Sequence, residues 1–93
     1  MQVHFTSGLK FREWVKENPK IATNAFYFID YELIDEKDTG LTYVTDLNLQ
    51  KRSILVTSRY DENYVREKAN LQGVRLLPKR LASYLPIQYF ENF

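Results

Sequence analysis

The chain has 93 residues, 13 basic and 12 acidic side chains, one histidine and no cysteine. That length allows one small domain, and the composition excludes disulfides and thiolate chemistry, argues against a zinc site, and lacks the basic footprint of a nucleic-acid binder. The aromatic share of 15% supplies large buried area per position, which suits a small core.

Residues 2–6 alternate polar and apolar, with Val3 and Phe5 on one side, and predict a short half-buried strand. Ser7 follows as a helix cap, and Phe11, Trp14 and Val15 make a narrow apolar stripe. Asn18-Pro19 ends that helix, because the residue before proline avoids the helical region. Residues 25–30 are apolar on both faces and close on Asp30, as a central strand of a parallel sheet does. An acidic loop with Glu32, Asp35, Glu36 and Asp38 then runs to Gly40 and reads as a solvated segment. Leu41, Val44 and Leu47 or Asn48 form a further helical stripe, weakened by its Thr and Val content.

Residues 53–58 are a second two-sided apolar strand. Asp61 is placed to cap a helix lined by Tyr64, Val65, Lys68 and Leu71, with Gly73 at its C′ position. Residues 74–77 make a last short strand, stopped by Pro78, and residues 80–84 can form a turn or two of helix. The order β-α-β-α-β-α-β predicts parallel strands with right-handed crossovers. Apolar runs are far below membrane-spanning length, and Lys10 and Arg12 interrupt any signal-peptide core. A cytoplasmic chain with no membrane or nucleic-acid partner is therefore expected.

In open parallel sheets, function gathers at the carboxyl ends of the strands. Three polar groups fall there: Asp30 after Tyr-Phe-Ile, Thr57 with Ser58 after Ile-Leu-Val, and Lys79 after Leu-Leu-Pro. Their order and spacing, with Gly40-Leu41 opening the helix after the acidic loop, resemble a response-regulator receiver domain from residue 3 to residue 87. The runs Ile-Asp-Tyr-Glu-Leu and Gly-Val-Arg-Leu-Leu-Pro-Lys are similar to receiver-like modules at the C-termini of bacterial sensor histidine kinases.

The resemblance implies an α/β fold: a three-layer, flavodoxin-like open parallel sheet of about four strands, lacking the first strand and helix. Residues 1–93 are then one truncated receiver-like domain with an aromatic tail over residues 84–93. It implies Asp30 as phospho-acceptor, Thr57 or Ser58 and Lys79 as contacts to phosphoryl oxygens, and no catalytic residues. The paired acids that help a receiver hold Mg²⁺ are absent, so no cofactor is required and any Mg²⁺ site is incomplete. Asp30 and Glu32, with Asp35, are the residues left to ligate one. Pro78 precedes Lys79, whereas receivers usually have Pro after the Lys, and the aromatic switch position falls on Leu76.

The expected function is a receiver-like interaction and regulatory module of two-component signal transduction, degenerate in phosphoryl transfer. Its partner would be a histidine kinase, another receiver or a second copy. A competent phospho-acceptor completed by a missing N-terminal strand is one alternative. A small metal-dependent hydrolase is another, weakened because no two strand-end carboxylates converge. Lys79 also reads as a structural ion pair to Asp30, and His4 as a surface or strand-edge residue. Trp14 and the tyrosines are expected in the core. Tyr84, Leu85, Ile87, Tyr89, Phe90 and Phe93 are expected to dock on their own domain or on a partner. If a receiver strand is missing between residues 2–6 and 25–30, those two strands either close up or leave an open edge.

Overall fold

A computed structural model describes residues 2–33, 36–82 and 88–89, with the backbone alone of 82, 88 and 89. In chain order it contains β1 (Gln2–Phe5), α1 (Gly8–Glu17), α2 (Pro19–Ala22), β2 (Phe26–Asp30) and α3 (Gly40–Asp46). A 3₁₀ turn (Gln50–Arg52), β3 (Ser53–Thr57), α4 (Asn63–Leu71), β4 (Arg75–Pro78), α5 (Lys79–Ala82) and β5 (Gln88–Tyr89) follow.

Local chemistry sets most of these limits. The Ser7 hydroxyl accepts the Lys10 N–H at 3.3 Å and caps α1. Asn18 closes α1 and opens α2, where Pro19 occupies the first helical position and its missing N–H leaves nothing unpaired. Gly73, at φ 71°, takes the left-handed conformation that ends α4. The N–H groups of Gly73 and Val74 then return to the carbonyls of Asn70 and Ala69, a Schellman closure.

The strands form one parallel sheet in the order β4-β3-β2-β1-β5. Every step from β1 to β4 moves the same way across it. Right-handed crossovers accordingly place α1, α3 and α4 on one face. There Val3, Phe5, Tyr27, Ile29 and Leu55 from the strands pack with Phe11, Leu41, Val44, Val65 and Ala69 from the helices. Phe11 ties the layers together, its ring 5.3 Å from Phe5 and 5.2 Å from Tyr27. A smaller cluster of Phe28 and Val56, with Ile54 and Leu77 against it, occupies the other face. α5 packs against β3 and β4. This is the open α/β parallel sheet expected from the residues.

The neighbouring strands have closed up: β1 pairs directly with β2 in the register Gln2–Phe26 to Phe5–Ile29. Several details depart from the sequence expectation. α4 starts at Asn63 with Glu62, not Asp61, at its N-cap. It buries Val65 and Ala69, one turn apart, while Tyr64 and Leu71 are 64% and 83% exposed. Ala69 is small enough to let α4 approach the sheet, and that turns the larger apolar pair outward. Trp14 is only partly buried, whereas Tyr27, Tyr31 and Tyr43 are in the core. The short α2, the 3₁₀ turn and β5 were not expected as elements. Of the aromatic tail, Tyr89 joins β5, and Tyr84, Leu85, Ile87, Phe90 and Phe93 lie outside the described residues. No described helix is long and apolar enough to cross a membrane.

Candidate functional site at the carboxyl edge of the sheet

Asp30 ends β2 on the face opposite the three long helices, and its side chain is buried. The alternation of β1 places His4 on the same face. His4 Nε2 lies 2.7 Å from Asp30 Oδ1, with both residues 6% exposed. This corrects the surface reading of His4. The polar positions of β1 look solvent-facing in the sequence, but Phe28 and Val56 make that face a second apolar surface. Lys79, the first residue of α5, extends a largely exposed side chain until its Nζ is 3.8 Å from Asp30 Oδ2. One buried carboxylate therefore has a hydrogen-bonding imidazole on one oxygen and an ammonium near the other, which balances the cost of burying it.

A second group forms at the end of β3. The hydroxyls of Thr57 and Ser58 donate to Glu32 Oε1 at 3.1 and 3.0 Å. The Arg59 guanidinium Nε lies 3.8 Å from the same oxygen, and the Arg59 N–H donates to Thr57 Oγ1 at 2.9 Å. The predicted residues are thus brought to one edge in two sets. Asp30 meets Lys79, and Thr57 and Ser58 meet Glu32. No hydrogen bond joins the two sets among the described residues. Asp35 lies outside them.

The acidic loop is therefore not simply solvated. Its backbone is tied down by Tyr31 N–H to Val56 O at 2.8 Å and Gly40 N–H to Tyr31 O at 2.9 Å. Glu36 accepts the Gly8 N–H at the start of α1 and the Tyr43 hydroxyl at 2.8 Å. That hydrogen bond, reinforced by burial, holds the Tyr43 phenol above its usual range, with the nearby Arg12 guanidinium opposing it.

No family model, curated protein or solved structure matches the chain.

Mg²⁺ is the ion that the receiver resemblance implies. The oxygens of Asp30 face a nitrogen donor and an ammonium, and Glu32 Oε1 is held by two hydroxyls. No three His, Asp or Glu side chains cluster as a metal would need among the described residues. The donor set as arranged does not fit the ion, which takes carboxylates plus waters at near-octahedral positions. The arrangement offers instead a buried, charge-balanced carboxylate beside a set of O–H and N–H donors that converge on one point.

Proposed function

We propose that this chain is a receiver-like interaction and regulatory module, of the kind used in two-component signalling, which does not itself carry out phosphoryl transfer. The observation that supports this reading is the environment of Asp30. The residue sits where a receiver carries its phospho-acceptor, at the carboxyl end of a central strand. One of its oxygens is nevertheless taken by the His4 ring at 2.7 Å, while the Lys79 ammonium lies 3.8 Å from the other. A nucleophilic carboxylate needs a free oxygen and a cation to neutralise the transferred group. The His4 ring occupies one of the Asp30 oxygens, and β1 ends at Phe5, with no acid where a receiver's paired acids would hold the metal.

Such a module works through its surface: a histidine kinase, another receiver or a second copy of itself is the partner class. The test is acetyl phosphate with Mg²⁺, followed by intact mass measurement. The expected result is no phosphoryl adduct on the chain. An adduct that disappears in Asp30→Asn would replace this reading with the competent phospho-acceptor.

A further inference from the structure

We infer that the Glu32 carboxylate is an internal occupant of an oxyanion site, so that the sheet edge takes a phosphate or phosphoryl group only when Glu32 swings out. The inference rests on the receiver-like reading for the class of ligand and deepens it by naming what regulates the site. Three donors from successive residues converge on one atom. Thr57 O–H, Ser58 O–H and Arg59 Nε all approach Glu32 Oε1, at 3.1, 3.0 and 3.8 Å. Each hydroxyl has a single proton, and both are committed to that oxygen. An incoming oxyanion needs the same donors and also meets the charge of Glu32. It cannot bind beside Glu32 and must replace it.

The geometry makes that replacement local. Tyr31 is fixed through both its N–H and its carbonyl. Glu36 anchors the far side of the loop to α1 and α3. Glu32 therefore follows a backbone held at Tyr31, and its side chain, 32% exposed, leaves by rotation. Thr57 is fully buried and oriented by the Arg59 N–H, so the hydroxyl stays in place. Arg59 is shared with Glu62 at 3.6 Å and stays at the edge once Glu32 has gone. The vacated position offers two hydroxyls and a guanidinium, a donor set suited to a tetrahedral oxyanion.

The test titrates inorganic phosphate into the wild-type chain, Glu32→Gln and Glu32→Ala, reading the backbone amide shifts of Thr57, Ser58 and Arg59 by NMR. The same spectra verify that each variant is folded, and Glu32→Gln keeps the size of the side chain if Glu32→Ala does not fold. Glu32→Ala is expected to bind phosphate roughly tenfold more tightly than wild type, since two charge-assisted hydrogen bonds no longer compete. Glu32→Gln, which loses the charge but keeps an acceptor, should fall between. A Glu32→Ala titration matching wild type overturns the inference, as does equal affinity of the two variants, which would reduce the effect to charge alone. Neither outcome touches the reading of Asp30, which the acetyl phosphate experiment tests without Glu32. If phosphate binds Glu32→Ala while acetyl phosphate labels wild-type Asp30, the gate stands and the non-transferring role falls.

Discussion

At the scale of single residues, the apolar core also carries polar atoms that find partners inside it. Tyr27 is fully buried, yet its hydroxyl donates to the Ala22 carbonyl at 2.7 Å and so joins β2 to α2. Burial, only partly offset by the Arg52 guanidinium, raises its phenol from 10.0 to about 12. The folded state thus holds the Tyr27 proton more tightly than the unfolded chain does. The stability this linkage represents is complete below pH 10.0 and is lost as pH climbs from there through about 12. Urea midpoints measured across that window should fall for the wild-type chain, and the fall should be smaller in Tyr27→Phe. Equal slopes would remove Tyr27 as the cause. His4 teaches a different lesson. Nothing in its neighbours along the chain marks it, because its partner Asp30 lies on another strand. The visible signal was only that a strand two residues from its start carries an imidazole at the parity that meets the end of β2.

At the scale of elements, close approach decides where the helices lie. A Cβ on Gly40 would run into the Asp30 carbonyl oxygen and the Ile29 side chain, and one on Gly8 would enter the Tyr43 ring. Both glycines let α1 and α3 settle against the sheet and against each other. Gly40→Ala is expected to destabilise the chain by about 1–3 kcal/mol, the range for inserting volume into a packed interior. The measurement is a urea midpoint at unchanged slope, and an unaltered midpoint would mean the loop gives way freely. α3 also shows why propensity is a weak guide. Its Thr and Val content disfavours helix, but Leu41, Tyr43 and Val44 are all buried, and packing outweighs the propensity deficit.

At the scale of the molecule, the one-directional order of β1 to β4 leaves an uneven surface. Three helices cover one face. On the other, Phe26 is 48% exposed at the start of β2, with the Arg52 guanidinium 5.2 Å from its ring. α4 turns Tyr64 and Leu71 outward in addition. Exposed aromatic and aliphatic residues on a module proposed to act by contact are the places to look for association. Light scattering over the micromolar range should show a mass that rises with concentration, and Phe26→Lys should shift it toward the monomer. A constant monomer mass for the wild-type chain would exclude a homo-oligomer as the partner.

The strands, their parallel sense and the helices between them were legible in the sequence, because two-sided apolar runs and glycine or proline boundaries are local signals. So was the gathering of Asp30, Thr57, Ser58 and Lys79 at one edge, which follows from parallel strands that all end on the same side. Three things were decided only in three dimensions. Whether β1 would meet β2 depended on which edges could hydrogen-bond, and no local pattern encodes that. Which side of α4 faced the sheet depended on how near Ala69 allowed it to come. The partners of Asp30 and Glu32 came from other strands and loops. In each case the deciding contact joins residues far apart in the chain, where periodicity carries no information and only packing and the pairing of buried charge select the outcome.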